Sequence, residues 1–162
     1  MPLLTLLKKD SFFDLEIIAF GTHLSEKFGF TISEIIKDGY KVVHQIPFSF
    51  DDDSEKGIVL SYANTVISFC EFWNSHKFDL VFCLGDRYEM SAAVQSSIPF
   101  GVKLAHIHGG ETSLGSIDNI YRHQITHASK YHFTSTEASM KMVKQLTRDS
   151  KLVYNVGSLS LS

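Results

Sequence analysis

Residues 85–129 read GDRYEMSAAVQSSIPFGVKLAHIHGGETSLGSIDNIYRHQITHAS. The apolar run LVFCL stops at Gly85-Asp86-Arg87, and a second run, VKLA, leads into His106-Ile107-His108-Gly109-Gly110-Glu111. Asp118, Arg122 and His123 follow within a helical pattern. Acids and histidines therefore collect just past the ends of two successive strands and at the start of the next helix. In an open α/β sheet that edge is where ligands bind. This placement makes an enzyme the leading expectation for an otherwise ordinary α/β chain.

Short apolar runs alternate with longer amphipathic ones along the rest of the chain, which predicts βαβ units and a mainly parallel sheet. Strands are expected at 15–21, 42–48, 79–85, 102–107, 131–134 and 152–156. Helices are expected at 3–9, 24–29, 33–37, 55–76, 88–97, 117–129 and 137–146. Residues 51–54 form a loop whose acids favour the start of the helix at Glu55. In that helix Ile58, Tyr62, Val66, Phe69 and Trp73 recur at helical spacing and mark its buried face. The length of 162 residues suits one domain, taken as 1–162.

Composition removes several classes. A net charge of −3 with no basic run gives no nucleic-acid surface. No apolar stretch approaches the roughly 20 residues that span a bilayer. Positive charges follow rather than precede the first apolar run, so no signal peptide is read and a cytoplasmic protein is expected. The two cysteines, Cys70 and Cys83, read as reduced core residues. Neither GxxxxGK[ST] nor GxGxxG is present, and GxSxG is absent too.

Each polar residue in the decisive stretch has a plain reading beside a chemical one. Asp86 caps the following helix or serves as, or orients, a general base. Arg87 stands beside it, and Glu89, one turn on, reads as solvated or supporting. His106 and His108 share a face of an extended strand, a spacing compatible with a metal, but no further ligand sits at a persuasive distance in sequence. His106 is better read as a satisfied core histidine, and His108, nearer the strand end, as a proton donor or acceptor. Gly109-Gly110 permits positive φ and close approach to a ligand, with Glu111 projecting from that turn. Asp118 and Arg122 are four apart and share a helix face. They form an intrahelical ion pair, or Asp118 faces a cleft while Arg122 fixes it or holds an anion.

GDRYE (85–89), HIHGGET (106–112) and SIDNIYRHQITHASKYHF (116–133) resemble the UDP-N-acetylglucosamine 2-epimerase family in its hydrolysing branch, and GTHLSEKFGFTISEI (21–35) supports the match. The resemblance implies the N-terminal Rossmann-like domain of a two-domain, glycosyltransferase-B-type fold. It implies conversion of UDP-N-acetylglucosamine and water to N-acetylmannosamine and UDP, in sialic-acid-type sugar synthesis. A UDP-N,N′-diacetylbacillosamine epimerase of the same branch, or a non-catalytic domain that binds sugar nucleotide, is the alternative. Asp86, Glu111, Asp118 and His108 are the implied catalytic residues, and Arg87, Gly109, Gly110, Arg122 and His123 the implied substrate ligands. No cofactor or metal is expected. The partners expected are a UDP-sugar and a further copy of the chain, with no nucleic acid or membrane. The family's first strand and second domain have no counterpart in the sequence, so an N-terminal fragment, inactive alone, is expected. Its sheet should show a gap between the strands at 15–21 and 79–85.

Overall fold

The computed structural model describes residues 2–24, 31–46, 54–148 and 151–159. Two compact units make up the chain, Met1–Ser68 and Phe69–Ser162.

In the first unit, α1 (Pro2–Lys9) and α2 (Ile32–Lys37) accompany strands β1 (Ile17–Ala19) and β2 (Val42–Gln45). The strands run parallel, with Ile17 opposite Val42 and Ala19 opposite Gln45. The helix expected at 24–29 is a 3-10 turn at Gly21–Leu24 as far as the described residues reach; the remainder of that stretch, residues 47–48 of the second strand and acids 51–53 lie outside them. Helix α3 (Glu55–Ser75) begins where the Ser54 hydroxyl accepts the Gly57 backbone N–H at 3.0 Å. Its buried face agrees with the expected one at Phe69 and Trp73 and departs from it in the first half of the helix. Gly57, Ser61, Thr65, Phe69, Phe72 and Trp73 are buried, whereas Ile58, Tyr62 and Val66 are only half-buried. The buried stripe carries small residues at four-residue spacing in its first half, Gly57, Ser61 and Thr65, ahead of the aromatic residues of its second.

The second unit is a four-stranded parallel sheet, β3 (Val81–Leu84), β4 (Leu104–Ile107), β5 (Tyr131–Thr134) and β6 (Val153–Asn155), paired in that order. Helices α4 (Tyr88–Ser97), α5 (Asp118–Ala128) and α6 (Glu137–Thr147) connect the strands. Cys83, His106 and His132 lie side by side across three strands. Cys83, Val94, Leu104 and Ile125 form a core cluster against Val81, Met90, Val102 and Ala128. Burial pushes the Cys83 thiol up to about 12, which keeps it a neutral packing group. Trp73 fills the space beside α4 and donates its Nε1–H to the Ala93 carbonyl at 3.1 Å and to Ser96 Oγ at 3.2 Å. Thr136 caps α6 by accepting the Ser139 N–H at 3.1 Å.

Among the described residues β1–β2 and β3–β6 are separate sheets, with no ladder joining them. No helix among the described residues is long and apolar enough to cross a membrane.

Candidate active site

Three strand ends bring the chemistry together: β3 delivers Gly85-Asp86-Arg87, β4 delivers residues 108–111, and β5 delivers Ser135. Helix α5 lies across from them and supplies Arg122.

Arg122 is the hub. Its guanidinium is buried and pairs with the Asp86 carboxylate through Nη2. Nη1 donates to the Glu111 carbonyl at 2.5 Å and to Asn119 Oδ1 at 3.2 Å, and Nη2 also reaches Ser113 Oγ at 3.4 Å. The Asp118–Arg122 pair that the four-residue spacing suggests does not form. Asp118 instead accepts from Ser116 Oγ at 2.9 Å, inside its own loop. Two readings of Asp86 are thereby separated, because the N-cap of α4 is Arg87 and no side chain caps that helix. Asp86 is free of capping duty and is held by Arg122 in a fixed pose.

Glu89 is buried rather than solvated, and it accepts from Arg87 Nε at 3.1 Å and Nη2 at 3.2 Å. The two-point contact is the fork geometry that suits Arg and carboxylate. It holds the Arg87 charge above its already high ordinary pKa. The Arg87 side chain stays 60% exposed, so Arg87 presents charge to solvent while Arg122 is consumed internally.

The two histidines of strand β4 part company. His106 is wholly buried; Gly85 carbonyl accepts from Nε2 at 3.0 Å and Nδ1 lies 3.1 Å from the Thr126 hydroxyl. A carbonyl can only accept, so the proton sits on Nε2 and Nδ1 accepts from Thr126. Burial lowers its pKa to about 4, against the raising effect of the Gly85 bond. His106 is thus a neutral strut beneath Gly85. The strand ends at Ile107, and His108 takes a positive φ of 65°, so the two rings do not share a strand face as expected. His108 Nδ1 lies 2.6 Å from Glu111 Oε1. The same carboxylate oxygen accepts from Ser135 Oγ at 2.5 Å. Burial pushes the Glu111 carboxyl up, but the Ser135 and His108 hydrogen bonds and the Arg122 charge outweigh it and leave the pKa below its ordinary value.

The glycine pair has a packing cause. A Cβ on Gly110, which has φ +77°, would stand 2.3 Å from the Ser139 carbonyl oxygen and 2.9 Å from Val143. A Cβ on Gly109 would meet His106 Nδ1 at 2.9 Å. The turn therefore lies flat on α6 and on His106, which aims Glu111 at Ser135. His123, half-buried on α5, has its pKa lowered by burial and by Arg122 and His127. Among the described residues no cluster of His, Cys, Asp or Glu has the makings of a metal site.

Sequence reasoning missed Ser135, Ser113 and Asn119. Ser135 follows β5 directly, so the strand-end rule applied to the third strand finds it. Ser113 and Asn119 matter through loop geometry that carries no sequence signature.

A parallel α/β sheet whose carboxyl edge gathers fixed carboxylates, a histidine and an exposed arginine has its polar groups where open α/β folds place their ligand sites. Residues 5–162 match the family model described as UDP-N-acetylglucosamine 2-epimerase, and the chain belongs to that family. It is 37% identical over 154 residues to the GDP/UDP-N,N′-diacetylbacillosamine 2-epimerase (hydrolyzing) of Campylobacter jejuni, covering 95% of this chain and 40% of that protein. It is 35% identical over 157 residues to polysialic acid biosynthesis protein P7 of Escherichia coli, covering 97% of this chain and 40% of that one. The crystal structure of the Neisseria meningitidis UDP-GlcNAc 2-epimerase bound to UDP-GlcNAc shares the fold at 17% identity, with a TM-score of 0.78 over 94% of this chain and 40% of that one. The chain thus spans about 40% of the length of the curated relatives it matches.

Proposed function

We propose that this chain carries the acid–base half of a hydrolysing UDP-sugar 2-epimerase, with UDP-N-acetylglucosamine as substrate and N-acetylmannosamine and UDP as products. The observation that supports it best is the His108–Glu111–Ser135 chain at the strand ends. Glu111 receives the Nδ1–H of His108, which fixes the tautomer and leaves the Nε2 lone pair directed away from the carboxylate. That is the orienting role an acid plays for a general base.

The reaction proceeds in two balanced steps. A base takes the C2 proton while the C1–O bond to UDP breaks; the C–H electrons form a C1=C2 double bond and UDP leaves with the C1–O pair. Water then adds its hydroxyl to C1, and C2 is reprotonated from the opposite face, which inverts that centre. His108 is assigned the first proton transfer, with Glu111 and Ser135 orienting it. Asp86 and Asp118 are assigned to water activation and reprotonation. Arg87 is assigned to the developing diphosphate charge, because an exposed guanidinium with a fixed back partner can be aimed without losing its position. Gly109, Gly110, Arg122 and His123 shape this pocket rather than supply charge to it. The family's second domain completes the nucleotide site, so the 162 residues alone are assigned no turnover.

A second reading changes only the sugar. The Campylobacter relative is named for diacetylbacillosamine, and its 37% identity makes UDP-N,N′-diacetylbacillosamine the competing substrate. The test supplies each UDP-sugar to a version extended to the family length, in ¹⁸O-water and D₂O. UDP release with ¹⁸O at C1 and deuterium at C2 of the free sugar is expected. Epimerised UDP-sugar that keeps its C1–O bond overturns the hydrolytic reading, and turnover of the diacetylated sugar alone overturns the assigned substrate.

A further inference from the structure

The loop between Glu111 and Asp118 is tied shut by one side chain. Asn119 Oδ1 accepts the Ser113 backbone N–H at 2.9 Å and Arg122 Nη1 at 3.2 Å. Asn119 Nδ2 donates to the Ser113 carbonyl at 2.6 Å and to the Ser116 carbonyl at 3.1 Å. Both donors and both lone pairs of the amide are thus used, on fixed backbone or on the Arg122 guanidinium. An aspartate in its place would set a carboxylate against two carbonyl oxygens. The turn that Asn119 closes has the Ser116 N–H on the Ser113 carbonyl at 3.2 Å and Gly115 at a φ of 71°, with Leu114 and Gly115 exposed at its tip.

The same side chain stands between two acids. From Asp86 the hydrogen bonds run through Arg122 to Asn119, and from Asn119 to the Ser116 carbonyl. The Ser116 hydroxyl donates to Asp118 Oδ2 at 2.9 Å and accepts the Asp118 N–H at 3.2 Å. Asp118 is therefore oriented by Ser116, and Ser116 by Asn119. Asp86 and Asp118 are the acids assigned above to water activation and reprotonation. The side chains assigned to the first proton transfer, His108 and Glu111, are tied instead to each other and to Ser135. We propose that Asn119 is a positioning residue for the second step of the reaction. Resting on the reading above, it sets Asp118 relative to Asp86 for water addition and reprotonation, and leaves the elimination to His108. A proton-transfer group displaced by about 1 Å loses on the order of a hundredfold in rate, so a tether of this kind is felt in the step it serves.

Single-turnover kinetics separate the two steps. A version of family length is held in excess over the UDP-sugar it turns over. Asn119→Ala is expected to form UDP within about threefold of the native rate, while hydrated sugar appears at least about tenfold more slowly and the C1=C2 sugar accumulates. Asp118→Asn is expected to show the same split. A native protein that forms no hydrated sugar overturns the hydrolysing reading, and Asp118→Asn with hydration intact overturns the assignment of Asp118; the proposal falls with either. A split in Asp118→Asn that is missing in Asn119→Ala overturns the proposal alone. Equal slowing of both steps in Asn119→Ala does the same, because it marks a purely structural residue. Two further variants carry the test if circular dichroism shows that alanine disturbs the fold. Asn119→Asp keeps the bonds from the Ser113 N–H and Arg122 and loses those to the two carbonyls. Ser116→Ala removes the hydroxyl from Asp118 and leaves the bonds of Asn119 in place. Each is expected to slow hydration selectively, and the double variant to be no slower than the slower single within about twofold, because the residues act in series. Fully additive losses overturn the route from Asn119 through Ser116 to Asp118.

Discussion

His106 and His108 sit two residues apart in one strand end, yet they occupy different chemical worlds. His106 has both ring nitrogens committed within the fold and is held neutral by burial, with its pKa lowered to about 4. His108, turned outward by its positive φ, has Nδ1 bound to Glu111. The difference teaches that a strand end changes role within two residues. His106, inside the sheet, is a structural strut, and His108, the first residue beyond it, leaves the strand and meets Glu111.

The strongest way to break this division is to lift the turn off its floor. Gly110→Ala puts a side chain into the Ser139 carbonyl at a positive φ. It is expected to lose about 3–5 kcal/mol of stability in urea unfolding, the strain and overpacking combined. Gly115→Ala, also at positive φ but with open space around it, is the control and should lose distinctly less.

Acid is the next lever on the floor. The His106 pKa is about 4 folded against 6.5 for an ordinary histidine, so the unfolded chain takes up the proton first as pH falls. Its contribution is complete above about pH 6.5 and is lost progressively down to about pH 4, on the order of 3 kcal/mol over that window. His106→Gln removes this part of the pH dependence. A stability profile of unchanged slope in that variant contradicts the buried, neutral state of His106.

Arg122→Ala tests whether the site depends on one hub. It leaves Asp86 without its partner and releases the Glu111 carbonyl, Asn119 and Ser113. Breaking a buried pair costs about 3–5 kcal/mol; Asp86 is partly exposed to water, so about 2–3 kcal/mol is expected, and Arg122→Lys should recover only part of it. The smallest effect falls on Ser135→Ala, about 1 kcal/mol for one hydrogen bond. In a version of family length the same change should lower kcat with little effect on KM, because Ser135 touches Glu111 rather than the nucleotide.

Much of this architecture is legible in the sequence. The alternation of apolar runs places every strand of the second unit within two residues of its observed ends. Glycine-flanked strand ends point to Asp86, His108 and Glu111 before any side chain is placed. What stays hidden is partner choice. Arg122 lies four residues from Asp118 and thirty-six from Asp86, and local spacing favours the nearer acid. The Ser116 hydroxyl satisfies Asp118 locally, while the strand end carries Asp86 to the guanidinium. The Gly109–Gly110 pair is legible as a special turn, but its cause, the closeness of α6, is tertiary. The buried face of α3 escapes for a related reason, since Gly57, Ser61 and Thr65 carry no apolar periodicity that marks them as buried.

The most direct measurement is the tautomeric state of the two imidazoles, read from long-range ¹H–¹⁵N correlations on the 162-residue chain with and without Glu111→Gln. His106 is expected to be neutral with its proton on Nε2 in both proteins. His108 is expected to have its Nδ1 protonated in the native chain and its tautomer balance altered by the substitution. A His106 signal that follows Glu111, or a His108 signal indifferent to it, would contradict the division between floor and edge on which the proposed catalysis rests.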